Sequence, residues 1–145
     1  MTPIVVSIDI NRPPAEVFAY ATDPSHFPEW QRDVASTDTG GADPHVVGSR
    51  FRTTRQFAGM KQTLTQQVTE VSSPTRWVAE GIDGVIRPKA ALSVEPLRDG
   101  AASRVTFSVT YQAGGLGRAI MPLVLRQTEK GAPLSFKRLK EQLER

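Results

Sequence analysis

The chain has 145 residues, 39% of them apolar, no cysteine, and a formal net charge of +3 at pH 7. This length suits one domain with its own core, and we predict a single domain over residues 1–145. The absence of cysteine excludes disulfides and cysteine-metal sites. No apolar run reaches the roughly 20 residues of a membrane helix, and the first residues of this sequence lack the basic start and long apolar core that are typical of a secretion signal. We therefore expect a cytoplasmic protein without integral membrane association.

The first predicted elements are a strand and two short helices. Apolar residues alternate with polar ones from Ile4 to Ile10, which predicts a strand with one apolar face. Pro14 suits the first turn of a helix, where the missing N–H costs little. Asp23 followed by Pro24 is typical of a cap and first turn, and predicts a second short helix.

Six further strands are predicted before the last element of the chain. The 83–84 Asp-Gly pair indicates a hairpin turn, because glycine accepts the positive φ of a two-residue connection. Pro88 and Pro96 indicate that the sixth strand is interrupted, or lies at a sheet edge, at those positions. The predicted strands cover 31–39, 49–57, 61–71, 75–82, 85–97 and 103–112.

The last thirty residues, 116–145, predict one long helix. Phe136, Leu139 and Leu143 recur at helical spacing, and the segment 119–125 is apolar nearly all round. Such a helix needs cover on more than one side, which a curved sheet wrapped around it would supply. The order predicts an α+β fold in which a seven-stranded antiparallel sheet grips the C-terminal helix.

Gly131 and Pro133 lie inside this predicted helix. Proline removes a backbone hydrogen bond and clashes with the carbonyl four residues earlier, at a cost of about 3 kcal/mol. The pattern predicts a kink or short break near 130–132, with segments of about fourteen and twelve residues on either side. Such a break would be a hinged entrance to a cavity or a bend that follows the sheet.

The ordered set of elements resembles the helix-grip fold of the START-like, or SRPBCC, superfamily, and within it the small polyketide cyclase/dehydrase-like proteins. The residues that carry the resemblance extend from one end of the chain to the other. The resemblance implies a small apolar or amphipathic ligand, polyketide- or lipid-like, held between sheet and long helix. It implies no catalytic residues, because the family has no shared catalytic motif. The stretches are 10–18 with Asp23 and Trp30, 47–49, 68–71 with Pro74, 114–117 and 139–144.

Strand phase and helix period together predict the lining of that cavity. Phe51, Thr53, Arg55 and Phe57 share one face of the third strand, so Arg55 points inward or reaches solvent at the cavity mouth. We expect no cofactor and no metal site. The predicted ligand-binding residues are Phe51, Arg55, Phe57, Leu64, Trp77, Leu92, Phe107, Val109, Tyr111, Met121, Leu125 and Thr128.

An enzyme is the alternative hypothesis: a cyclase, dehydratase or hydrolase in the same cavity, with Arg55, Tyr111 or His26 as acid, base or oxyanion partner. No convincing acid–base pair supports it, because the Asp23 cap leaves His26 exposed and His45 is expected to be solvated. A membrane- or nucleic-acid-facing module is disfavoured, since the basic residues are scattered and no exposed aromatic residues are evident. We expect a monomer or homodimer that does not bind nucleic acid.

Overall fold

The computed structural model describes residues 2–57 and 59–145; the side chain of Phe57 lies outside the described part. Short 3-10 turns cover Pro24–His26 and Arg98–Gly100. The predicted order of a strand, two short helices, six strands and a long helix is confirmed. The helices and strands are β1 (Ile4–Ile10), α1 (Pro14–Ala21), α2 (Phe27–Trp30), β2 (Val34–Asp38), β3 (Arg50–Phe57), β4 (Met60–Ser72), β5 (Arg76–Gly81), β6 (Ile86–Leu97), β7 (Ala102–Ala113) and α3 (Leu116–Leu143).

Within the described residues, seven antiparallel strands form one curled half-barrel in the order β1-β7-β6-β5-β4-β3-β2. The chain's first strand pairs with its last, with Ile4 opposite Val109 and Ile10 opposite Ser103. The alternation in β1 produces one inward face, and Ile10 is fully buried. The predicted helix-grip α+β fold is confirmed.

The two prolines of β6 lie outside the part of the strand that pairs with β5. β6 runs without interruption from Ile86 to Leu97, pairing with β7 along its whole length. On its other side β5 pairs only with Lys89–Ser93, so neither proline is paired with a β5 residue, although Pro88 lies against Gly81. β6 is therefore an interior strand without the predicted interruption. A missing N–H is tolerated at both prolines because neither is paired with β5.

Helix α3 continues through Gly131 and Pro133, so the predicted short break is wrong, while a kink at this position stays a prediction. Pro122 also lies inside the helix. Both prolines are exposed or half-buried, and Arg118 and Glu129, whose carbonyls lose their usual partner, are exposed. Water can bind these carbonyls on the exposed side, which explains why the helix is not interrupted.

The two halves of α3 differ in burial. In the C-terminal half, Phe136, Leu139 and Leu143 are buried, and the helix packs on β1 and α2. In the N-terminal half, Leu116 is 80% exposed and Leu123 is 51% exposed. The expectation that the sheet covers the apolar segment on several sides is therefore wrong. Within the described residues, no helix combines the length and hydropathy needed to cross a membrane.

Candidate functional site

A cavity of about 230 Å³ lies between the concave face of the sheet and α3. Its walls come from β3 to β7, its roof from α3, and the remaining side from α1, α2 and the residues that follow α2. The inward faces of the strands supply mainly apolar side chains, because alternate residues of a strand point to the same side. The fold thus places the cavity at the centre of the helix grip.

Aromatic rings form the closed end of the cavity. Phe27 lies 5.9 Å from Phe51 and 6.3 Å from Trp77, edge to face in both cases. Phe51 and Trp77 stack at 5.9 Å, and Trp30 packs against Phe136 at 5.0 Å. All five rings are at most 5% exposed. These offset and edge-on arrangements are the favourable ones for aromatic pairs, so this end is rigid and apolar.

The indole nitrogen of Trp30 is a buried donor on this wall. Trp30 is 2% exposed and lines the cavity. Within the described residues its Nε1 has no hydrogen-bond partner. An unsatisfied buried N–H costs about 1–3 kcal/mol. The wall therefore carries a donor that a water molecule or a ligand oxygen would stabilise, once small side-chain movements bring it within reach.

Polar groups lie towards the opposite end, near the β3–β4 and β5–β6 turns. Arg55 donates from Nη1 to Asp33 Oδ1 at 2.9 Å and from Nη2 to Gln31 Oε1 at 2.8 Å. The side chains of Arg55 and Asp33 are about one-third exposed, 32% and 35%. The pair is thus partly screened by solvent. It brings a donor and an acceptor of opposite charge to the mouth of the cavity.

Tyr111 and Thr128 link β7 to the roof of the cavity. The Tyr111 hydroxyl lies 2.7 Å from Thr128 Oγ1, and Thr128 donates to the carbonyl of Val124 at 3.0 Å. Because the Thr128 proton is used in that bond, Tyr111 donates to Thr128. Burial raises the pKa of Tyr111, and Asp33 raises it further, while Thr128 and Arg55 lower it. The phenol therefore stays protonated at neutral pH and is a hydrogen-bond donor.

The structure brings most of the predicted lining residues together. Met121 and Leu125 are half-buried and do not line the cavity. By helical spacing they share a face with Leu139 and Leu143, so their predicted place in the lining is wrong. Phe57 falls outside the described side chains. The predicted residues that line the cavity are Phe51, Arg55, Leu64, Trp77, Leu92, Phe107, Val109, Tyr111 and Thr128.

Several lining residues were missed from the sequence. Gln31 and Asp33 directly follow α2, where the pattern had predicted the start of a strand. Gln66 also lines the cavity; it is 4% exposed, and its amide oxygen accepts a hydrogen bond from the Thr53 hydroxyl at 3.3 Å. Helix α3 directs a different face towards the cavity than the one predicted from Met121, Leu125 and Thr128. The α3 residues that line the cavity are Val124, Gln127, Thr128, Gly131, Ala132, Ser135 and Phe136.

The two histidines lie outside the cavity lining. Asp23 caps its turn, as predicted, by accepting from the backbone N–H of Ser25 at 3.0 Å. His26 bonds Glu29 at 2.8 Å and stacks on Tyr20 at 4.5 Å. His45 is only partly solvated, since its side chain is 31% exposed. Its Nε2 lies 2.6 Å from Thr22 Oγ1, and its ring stacks on Phe18 at 5.4 Å, so it joins the β2–β3 loop to α1.

Comparisons with known proteins agree with this architecture. A family model described as "Polyketide cyclase / dehydrase and lipid transport" matches residues 1–144. A protein of Thermus thermophilus superposes with a TM-score of 0.79 at 18% identity, covering 98% of this chain and 97% of its own. A protein of Deinococcus radiodurans superposes with a TM-score of 0.72 at 16% identity, and the match covers 99% of this chain and 98% of that protein.

The di-domain ARO/CYC BexL from the BE-7585A biosynthetic pathway superposes with a TM-score of 0.76 at 17% identity. The match covers 99% of this chain but 47% of BexL, so this chain spans about half of that protein. At these identities the structural matches establish the fold alone. No curated protein matches the chain.

Proposed function

Since this chain belongs to the polyketide cyclase/dehydrase and lipid-transport family, we propose that it binds a compact amphipathic molecule between the sheet and α3. The observation that carries the proposal is the cavity itself, with aromatic rings at the closed end and paired polar groups at the mouth. An apolar cavity with a few convergent polar groups is the usual form of a small-molecule site. The apolar part of the ligand would enter first.

The size of the cavity limits the ligand. Its volume of about 230 Å³ is below the roughly 300–1,000 Å³ of typical ligand pockets. An engineered apolar cavity of about 150 Å³ holds benzene. We therefore infer that the site suits one or two fused rings, or a short branched chain.

The polar end favours a neutral group on the ligand. Arg55 is already paired with Asp33, so a ligand carboxylate would meet a guanidinium whose charge is largely offset. A hydroxyl or carbonyl can instead share the donors of Arg55, which has five N–H groups, and the acceptor of Asp33. Tyr111 supplies a protonated hydroxyl nearby. We infer that the ligand carries an alcohol, phenol or ketone at its outer end.

Calorimetric titration with naphthalene, 1-naphthol and 2-naphthoate tests the proposal. We expect 1-naphthol to bind about tenfold more tightly than naphthalene, the value of one good hydrogen bond. 2-Naphthoate should bind no better than 1-naphthol. Asp33→Asn removes the negative charge that offsets Arg55, and should raise the affinity for 2-naphthoate by about tenfold. Absence of binding by all three compounds would contradict the proposed site.

A cavity-blocking variant supplies the control. Ala90 lines the cavity, and Ala90→Phe should abolish binding of all three compounds. Ala35 is exposed on β2, and the matched variant Ala35→Phe should bind as the wild type does. Because Trp30 and Trp77 both line the cavity and are the chain's two tryptophans, their fluorescence gives an independent signal. Equal losses in both variants would show that binding occurs elsewhere.

Catalysis of cyclisation or dehydration is a second candidate. It is favoured by the protonated Tyr111 and the Arg55–Asp33 pair at one end of the same cavity. His26 is removed from this hypothesis, since it does not line the cavity. If the protein is an enzyme, Tyr111→Phe should abolish turnover of a polyketide-like substrate while calorimetric binding of 1-naphthol persists. Unchanged turnover would exclude Tyr111 as the acid.

A further inference from the structure

Exposed aliphatic side chains surround the mouth of the cavity. Leu116 and Leu123 project from the N-terminal half of α3, and are 80% and 51% exposed. Met60 at the start of β4 is 58% exposed, and Val85 in the β5–β6 turn is 49% exposed. Large aliphatic groups exposed together at one place on a protein are a feature of interaction surfaces. We call these four residues the rim.

Contacts between the three segments show that the rim is one surface. The β5–β6 turn touches the first turn of α3, where the Val85 carbonyl abuts the Cα of Gly117 so closely that no Cβ would fit. Gln127 of α3, one turn after Leu123, donates to the carbonyl of Gln56 at 2.9 Å. Gln56 pairs with Lys61, next to Met60. The rim thus joins α3 to the β3–β4 and β5–β6 turns.

The rim is continuous with the cavity. Val85 is both a rim residue and a lining residue. Val124 follows Leu123 and lines the cavity, as do Gln62 near the start of β4 and Gly84 in the β5–β6 turn. Gln62 and Gly84 are exposed. A flat apolar phase placed on the rim would therefore meet the cavity mouth directly.

The charge around the rim is predominantly positive. Lys61, Arg87, Arg118 and Arg126 are exposed, and among the described residues none of them forms an ion pair. Arg118 and Arg87 donate to the carbonyls of Ala113 and Gly84, which holds them beside the first turn of α3 and the β5–β6 turn. Two carboxylates, Asp83 and Glu129, reduce this charge without reversing it.

We propose that the rim docks this protein on an anionic lipid surface, with the cavity mouth facing the membrane. Aliphatic side chains beside lysine and arginine are the combination that binds the interface of a bilayer, where the apolar groups enter the acyl boundary and the cations meet lipid phosphates. A purely apolar partner surface would leave the surrounding cations without counter-charges. Scattered basic residues in the sequence become a single group only because the fold brings turns and helix together.

Co-sedimentation with vesicles tests this docking without any small ligand. The probes are vesicles of phosphatidylcholine alone and vesicles with roughly 30 mol% phosphatidylglycerol. We expect binding to the anionic vesicles that weakens as salt is raised, and weak binding to phosphatidylcholine. No binding to anionic vesicles at low salt would overturn the proposal.

Matched variants locate the surface. Leu123→Asp and Leu116→Asp should each weaken binding about tenfold or more. Val47 is 59% exposed in the β2–β3 loop, at the other end of the sheet, and Val47→Asp should leave binding unchanged. Arg118→Glu should weaken binding, whereas Lys137→Glu, on the exposed side of the C-terminal half of α3, should have a much smaller effect.

Circular dichroism melting checks that each variant folds. We expect all of them to fold, because the substituted residues are exposed. Equal losses in Leu123→Asp and Val47→Asp would overturn the assignment to the rim. Analytical ultracentrifugation tests the alternative that a second copy of this chain covers the rim, by measuring whether the protein is a dimer. A dimer that Leu123→Asp dissociates, in a protein that does not bind vesicles, would likewise overturn the proposal.

Discussion

Phe136 and Leu139 lie one turn apart on α3, but they face different surroundings. Phe136 is 3% exposed, its ring lies 5.0 Å from Trp30 and 5.1 Å from Phe107, and it lines the cavity. Leu139 is fully buried and does not line the cavity. Truncation at Phe136 therefore enlarges an existing space, whereas truncation at Leu139 opens a new void in packed core.

This difference sets the expected free energies of unfolding. Phe→Ala in a core typically costs about 3–5 kcal/mol and Leu→Ala about 2–5, with the higher values where a closed void remains. We expect Phe136→Ala at the lower end, about 3 kcal/mol, because water or ligand can occupy the enlarged cavity. Leu139→Ala should also cost about 3 kcal/mol, although it removes roughly half as many atoms.

Urea unfolding followed by circular dichroism measures both values. Leu134, on the same helix, is 44% exposed, and Leu134→Ala should cost less than about 0.5 kcal/mol. A cost for Phe136→Ala about 2 kcal/mol above that of Leu139→Ala would refute the reasoning, since the new void would then behave as closed. A cost below about 1 kcal/mol for both would show that the C-terminal half of α3 is not anchored in the core.

Four further predictions concern α3 and the residue that follows it. Gly117→Ala should lower thermal stability, because its Cβ would overlap the carbonyl of the β5–β6 turn; Gly131→Ala has no neighbour within 4 Å and should gain about 0.5–1 kcal/mol. Pro133→Ala should raise the free energy of unfolding by up to about 3 kcal/mol in the same urea assay, and a loss would indicate that the proline is needed. A hydrogen bond from Lys140 holds the pKa of Glu144 below its ordinary value of 4.5, so its stabilisation is present above pH 4.5 and lost as pH falls below it. Glu144→Gln should flatten that part of a melting-temperature profile, and an unchanged acid limb would contradict the pairing.

The sheet could be predicted from the sequence because its evidence is local. Alternation in β3 and β7 fixes which side chains point inward, and one residue of slip would have turned every face over. Phe51 and Arg55 on β3, and Val109 and Tyr111 on β7, accordingly lie at the cavity. Both strands are long enough for the two-residue alternation of inward- and outward-facing side chains to be unambiguous.

The roof and the polar end could not be predicted in the same way. The segment 119–125 is apolar on nearly every side, so it contains no single stripe from which to choose a cavity-facing side. The partners of Arg55 are set by the tertiary fold, since Asp33 is 22 residues away in a short connection after α2. His45 likewise meets Thr22 across 23 residues.

The burial of α3 separates the stability of the fold from the properties of the site. Its C-terminal half holds the helix in the grip through Phe136, Leu139 and Leu143, while its N-terminal half covers the cavity and leaves Leu116 and Leu123 exposed. Apart from the buried Gly117, residues in the first half are exposed or half-buried, so substitutions there remove less buried surface and cost less stability. They can nevertheless change the lining, the entrance and the outer surface of the site. A fold arranged in this way can acquire different ligands by changes near the start of α3 while residues near its end continue to maintain the structure.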